Sequence, residues 1–116
     1  MRIGMLKSKI HRATVTKHVI EYNGSIGIDA DLLKAANILP YEQVDVYNMT
    51  NGERFTTYAI VAPGGSGAIE VYGAAGHLAE AGHKVIICAY GFMEENEARE
   101  LKPSVIFVDD RNKVKA

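Results

Sequence analysis

The 116-residue chain contains a single cysteine, no tryptophan and only three prolines. One thiol cannot close an internal disulfide, and Cys88, inside the apolar run VIICAY, reads as a small reduced core residue. There is no surplus of charge either: thirteen Lys and Arg against fourteen Asp and Glu leave a formal net charge of -1. Without a broad basic field the chain is not expected to hold nucleic acid or an anionic membrane. No apolar run nears the roughly 20 residues that span a bilayer. The opening MRIGMLKSKIHR lacks the continuous apolar stretch of a signal peptide, so a cytoplasmic protein is expected. His11, His18, His77 and His83 show no ligand spacing and have no cysteine cluster beside them, which argues against a metal site.

What is present is an ordinary globular composition, with 47% hydrophobic and 23% charged residues. The length suits one compact domain, residues 1–116, and no linker, repeat or low-complexity segment divides it. The punctuation is that of many short strands. KSKIHRATVT, HVIEY, EQVDVYNMT, ERFTTYAIVA, AIEVYG, KVIICAY and SVIFVD read as strands, and Asn51-Gly52 is the strongest hairpin signal. Asp29 is a candidate N-cap for a helix over ADLLKAAN, AAGHLAEAG reads as one or two helical turns, and MEENEARELK as a short acidic helix or turn. The tail DRNKVKA is expected to fray. Together these predict a small β-barrel with short helical connections.

Three stretches could carry chemistry. In EYNGSIGID, the triplet Asn23-Gly24-Ser25 admits a tight turn, a glycosylation acceptor, or a peptide bond built to break. The second matters only in a secreted chain. For the third, a glycine before a serine permits backbone geometry that other residues resist, with the hydroxyl near the preceding carbonyl carbon. Taken locally, the turn is the commoner use of such a triplet. GGSG and YGAAGH offer backbone N–H groups but fit neither phosphate-loop nor dinucleotide patterns. A Gly-Ala-Ala backbone better suits close approach to a small substrate. In the hairpin, Arg54, Thr56 and Tyr58 alternate with Phe55, Thr57 and Ala59, so a regular strand sends them to opposite faces. Lys9 and His11 share one face of the first strand in the same way.

Taken as a set, KSKIHRATVT, Tyr22-Asn23-Gly24-Ser25, TNGERFTTYAI and YGAAGH, in this order and spacing, resemble the bacterial aspartate 1-decarboxylases. The likeness runs from Met5 to about Val105. It implies a six-stranded double-psi β-barrel, a homotetramer, and self-cleavage between Gly24 and Ser25 into chains 1–24 and 25–116. The cofactor it implies is a covalent pyruvoyl group derived from Ser25, with no metal. The implied reaction removes the α-carboxylate of L-aspartate as CO₂ through a Schiff base and yields β-alanine for pantothenate and coenzyme A synthesis.

Residue by residue, the resemblance gives Tyr58 the proton donated to carbon, and Lys9 and Arg54 the substrate's carboxylates. It gives Thr57 a part in both processing and substrate contact. Gly73, Ala74 and Ala75 match the substrate-binding turn, and His11, Tyr22 and Tyr72 the surrounding pocket. The chain departs from the family pattern at Tyr72, where Asn is common, and at Tyr47, where Trp is frequent. Alternation puts Thr57 and Tyr58 on opposite faces, so the strand is expected to bend there or to serve two subunits. A non-catalytic double-psi barrel binding module, and a pyruvoyl decarboxylase with another amino-acid substrate, are the alternatives.

Overall fold

The computed structural model describes residues 1–115. In order the elements are β1 (Arg2–Thr14), β2 (Lys17–Val19), β3 (Ser25–Asp29), α1 (Ala30–Ala36), β4 (Gln43–Asn48), β5 (Arg54–Ala62) and β6 (Ile69–Tyr72). A 3₁₀ turn (Gly73–His77), β7 (Lys84–Glu94), α2 (Glu95–Glu100) and β8 (Ser104–Phe107) complete the chain. The protein is mainly β, as expected, but among the described residues it has eight strands rather than six. They form one sheet in the order β2-β6-β3-β5-β4-β7-β1-β8. The short edge strands β2 and β8, paired in parallel with β6 and β1, take the count past six.

The sheet curls around one core. Ile10, Ile26, Ile28, Val44, Val46, Ile69, Val71, Val85 and Ile87 come from five strands spread along the order, yet they pack into a single buried cluster. A flat sheet could not bring them together. Two irregularities in the β1–β7 ladder, at Leu6/Ser8 and Ile10/Ala13, help the longest pair to bend, and Arg12 takes φ 65° at the second. Helix α1 closes one end with Leu32, Leu33 and Ala36, a spacing that lines up one helical face. Its N-cap is Asp29, as predicted, and its C-cap is Asn37 in the left-handed conformation, φ 57°.

Several local expectations change. The Asn51-Gly52 hairpin joins β4 to β5 antiparallel, but through a longer loop than a two-residue turn, in which Gly52 takes φ +81° and Asn51 Oδ1 accepts from the Glu53 N–H at 2.9 Å. HVIEY is strand only as far as Val19. The tail does not fray as far as Lys115, and Ala116 lies outside the described residues. Val108 bridges to Val114, and Asn112, 1% exposed, accepts from the Thr14 N–H and donates to the Thr14 and Gly67 carbonyls at 2.7–2.8 Å. One buried amide thus ties the C-terminal segment to the bulge of β1 and to the loop before β6.

Asp29, also 1% exposed, does similar work at the end of β3. Its carboxylate accepts from the N–H groups of Asp31, Gly65 and Gly67 at 2.8–3.0 Å. Burial pushes its pKa up, but the hydrogen bonds from Gly67, Asp31 and Gly65, with Lys113 nearby, outweigh it and the net shift is downward. The stabilisation is therefore complete above the ordinary carboxylate value near 4 and is lost as pH falls through the lower folded value. Asp29→Ala is expected to cost about 2–4 kcal/mol in urea unfolding at pH 7. Below about pH 4 the variant should lose less further stability than the wild type. Equal losses on acidification would show that Asp29 does not carry this titration.

Candidate active site

The bond between Gly24 and Ser25 lies where a bend over residues 20–24 enters β3. The hairpin-turn reading of Asn23-Gly24-Ser25 falls away, because β6 lies between β2 and β3 in the sheet. Gly24 is exposed, whereas Ser25 is 3% exposed. On one side Ser25 pairs antiparallel with Tyr72 of β6, and on the other Ile26 pairs in parallel with Ala59 of β5. Continuing that parallel register back sets Ser25 level with Tyr58 and Gly24 level with Thr57.

The alternation of β5 is unbroken here. Its ladder with β4 runs from Tyr58 to Arg54 without a shift, with Phe55 and Thr57 half-buried and Arg54, Thr56 and Tyr58 exposed. The expected bend between Thr57 and Tyr58 is therefore absent. None is needed for both to flank the bond: adjacent residues of β5 lie alongside adjacent residues of the neighbouring strand, each on its own face.

Backbone packs on backbone at this point. Gly73 has φ +82°, and a Cβ there would lie 2.7 Å from Gly24 Cα and 2.9 Å from Gly24 N. Only glycine fits this approach. It opens the 3₁₀ turn, in which Ala74 is exposed and Ala75 packs against the core. Ser25 Oγ reaches the Asn23 carbonyl only at 3.5 Å, a weak contact that leaves the hydroxyl largely uncommitted.

Tyr72 turns away from the bond. Its hydroxyl donates to Glu70 Oε1 at 2.8 Å, its ring stacks on Tyr22 at 4.9 Å, and the Lys17 ammonium sits 5.9 Å from its centroid. Burial first, then the hydrogen bond to Glu70, pushes its pKa up to about 12. The ring lies against Gly27, where a Cβ would meet it at 3.4 Å. Tyr72 therefore covers β3 and does not donate toward Gly24.

Lys9 and Arg54 belong to a second group. Lys9, Cys88, Asp45 and Thr56 stand in register across β1, β7, β4 and β5. Arg54 pairs with Tyr47 on the same face, and its guanidinium lies 4.5 Å from the Tyr47 ring centroid. Two grooves, of about 280 and 200 Å³, flank Arg54 and do not reach Ser25. Among the described residues neither Lys9 nor Arg54 is in a salt bridge, whereas Lys7 pairs with Glu42 at 3.2 Å. Four residues of strand separate Arg54 from Tyr58, about 13 Å, and Lys9 lies three strand spacings, about 14 Å, from Thr56. Along the ladder, neither cation stands in the row of Ser25.

His11 stands apart from both groups, edge-on to Phe107 at 5.4 Å, with Nδ1 buried and unpartnered among the described residues. Burial, then Lys9, Arg12 and Lys115, lower its pKa, so it is neutral at pH 7. Among the described residues no cluster of three or more His, Cys, Asp or Glu could hold a metal ion, and no helix is long and apolar enough to cross a membrane.

Two partners of the predicted residues escaped the sequence reading. Glu70 shares a face of β6 with Tyr72, and the alternation in AIEVYG could have found it. Tyr90 hydrogen-bonds Tyr47 hydroxyl to hydroxyl at 2.7 Å from 43 residues away, and no local pattern signals that.

Residues 1–115 match the family model described as aspartate decarboxylase. An aspartate 1-decarboxylase of Maricaulis maris is 55% identical over 114 residues, 98% of this chain and 94% of its own. Those of Thioalkalivibrio sulfidiphilus and Carboxydothermus hydrogenoformans are each 54% identical over 114 residues, covering 98% of this chain and 90% of theirs. The chain belongs to the aspartate decarboxylase family.

Proposed function

We propose that this chain decarboxylates L-aspartate to β-alanine and CO₂ with a pyruvoyl group made from its own Ser25. The observation that carries the reading is the setting of the Gly24–Ser25 bond: strapped by Gly73, level with Thr57 and Tyr58, in a chain whose relatives are named aspartate 1-decarboxylase. Ser25 Oγ adds to the Gly24 carbonyl carbon, the C–N bond breaks, and the acyl group passes to oxygen. β-Elimination then releases the Gly24 carboxylate and leaves a dehydroalanine. Uptake of one water and loss of ammonia convert it to the ketone. The setting suits such a group: the absence of a Cβ at Gly73 lets its backbone approach residue 24 closely, and residue 25 is shielded from water.

When present, the group supplies a ketone that accepts the substrate's amine and takes up the electron pair left by CO₂. Tyr58, on the same face as Ser25, donates the proton to carbon; phenols keep that proton at neutral pH. Thr57 serves the Gly24 side of the bond, and Gly73, Ala74 and Ala75 form a turn with no bulky side chain in the substrate's way. Tyr22 and Tyr72 wall the pocket.

Lys9 and Arg54, without a carboxylate partner among the described residues, hold the substrate's two carboxylates, and Arg54 can grip one bidentately. Their place in other rows of the sheet than Ser25 supports a site shared with a neighbouring subunit, in a homotetramer. His11, being neutral, contributes shape rather than charge. The product β-alanine feeds pantothenate and coenzyme A synthesis in the cytoplasm.

Intact mass under denaturing conditions, before and after borohydride with L-aspartate, tests the whole reading. Two fragments split at Gly24–Ser25 are expected, the long one carrying an aspartate-derived adduct. A single uncleaved mass after prolonged warming would instead favour a binding module. Ser25→Ala should abolish cleavage and activity together.

Gly73→Ala should stall cleavage, since the added methyl would drive into Gly24. Normal cleavage in that variant, followed by mass over time, would remove Gly73 from the processing geometry. Tyr58→Phe should cleave as the wild type does, yet lose about 10²-fold or more in kcat for L-aspartate. Normal turnover by that variant would end the proton-donor assignment.

A further inference from the structure

Arg54 has two possible partners on its own face of the sheet. Asp45, diagonal to it across β4 and β5, lines the same 280 Å³ groove. A guanidinium beside a carboxylate ordinarily pairs with it. Here it does not: Asp45 Oδ1 accepts the Thr56 hydroxyl at 2.6 Å, and the guanidinium lies over Tyr47.

What holds the Tyr47 ring in place is Tyr90. Tyr47 pairs across the ladder with Ile86, and Tyr90 is four residues further along β7, so a 2.7 Å hydroxyl contact requires the two rings to lean toward one another over Cys88. The hydrogen bond to Tyr47, and then burial, push the Tyr90 pKa upward, so Tyr90 keeps its proton and the link persists across neutral pH. The ring that carries the guanidinium is thus fixed at its hydroxyl end.

We propose that Tyr90 is a positioning residue for substrate binding: through Tyr47 it holds the Arg54 guanidinium away from Asp45 and open to a carboxylate of the substrate. This rests on the assignment of Arg54 to substrate binding made above. Within the chain Tyr90 lies outside the group around Ser25 and reaches Arg54 only through Tyr47, so its influence is on affinity for the acidic substrate. Without its hydroxyl the Tyr47 ring loosens, Arg54 can turn to Asp45, and the substrate's carboxylate must compete with that residue.

Steady-state kinetics of the cleaved enzyme tests this. Tyr90→Phe should raise KM for L-aspartate by about threefold to tenfold, the scale of one hydrogen bond, with kcat within about twofold and cleavage complete. Tyr47→Phe, which keeps the ring, should do the same, and the double variant should be no worse than either single one. Adding Asp45→Asn to Tyr90→Phe should bring KM back toward the wild-type value, which a merely structural defect would not allow. An unchanged KM, a fall confined to kcat, or additive effects in the double variant would overturn the proposal. Should Tyr90→Phe fail to fold, the Tyr47→Phe and Asp45→Asn pair carries the same test. Arg54→Ala separates the two levels: an unchanged KM there ends the assignment of Arg54 itself, whereas a raised KM there with none in Tyr90→Phe ends only the role of Tyr90.

Discussion

Asp29 is a buried carboxylate held by backbone N–H groups of two separate segments, the start of α1 and the Gly65–Gly67 loop. It ends β3, a strand of five residues, every one of them buried. The other end of β3 is Ser25, where Gly73 presses on the preceding glycine. A strand fixed at both ends and paired on both edges cannot slip, and a slip of one residue would exchange its two faces. Ser25 and Gly27 would then point into the core, and Ile26 and Ile28 out of it. The placement of the Gly24–Ser25 bond therefore comes from constraints on β3 itself: its ladders, the Asp29 carboxylate at one end and the close approach of Gly73 at the other. The loop that binds Asp29 is itself anchored, since the Gly67 carbonyl accepts from Asn112 near the C-terminus. Residues from opposite ends of the chain thus hold one short strand still.

How much of this could be read from sequence depended on the range of the interaction. Helix α1 was legible, because Asp29, Asn37 and the spacing of Leu32, Leu33 and Ala36 are local signals. The two faces of β5 were legible for the same reason, through strict alternation from Arg54 to Ala59. What alternation could not show is what β5 lies beside. Seen alone, opposite faces for Thr57 and Tyr58 look like a conflict; once β3 is known to run parallel beside β5, they become two flanks of one bond. The tail misled for a related reason. DRNKVKA is mostly polar, but it is held by the Val108–Val114 bridge and by the Asn112 amide bonded to Thr14, 98 residues away, and polarity does not reveal a buried Asn whose side chain is hydrogen-bonded at both ends. The site residues named by resemblance, by contrast, stand in one sheet but in separate groups, a division that no list of matched positions contains.

Tyr72 shows how a larger side chain is accommodated where the resemblance leads one to expect Asn. A phenol has one proton to give, and here Glu70 takes it. The rest of the ring is accommodated by glycine at position 27, by stacking on Tyr22 and by the ammonium of Lys17. The phenol's hydrogen bond is thus spent on Glu70 and not near the Gly24–Ser25 bond, and its ring adds apolar cover above β3. The departure is absorbed locally, and the contact between Gly73 and Gly24 is left intact.

The division of charge across the sheet follows a similar logic. Lys7 and Lys9 are two residues apart, yet the ladder irregularity at Leu6/Ser8 and the Asn37 carbonyl draw Lys7 to the α1 end, where Glu42 neutralises it. Lys9 is left beside Cys88 without an acid of its own, and Asp45, the nearest carboxylate in its row, is occupied by Thr56. Among the described residues two cations therefore stay unpaired on a face that does carry acids, because a lysine, a threonine and a tyrosine ring intercept the available partners. On the proposed function, the groups around the Gly24–Ser25 bond come from β3, β5, β6 and the turn after it, whereas the proposed carboxylate-binding residues Lys9 and Arg54 stand in other rows of the sheet. Under that function, cofactor formation and substrate binding therefore draw on different parts of the sheet.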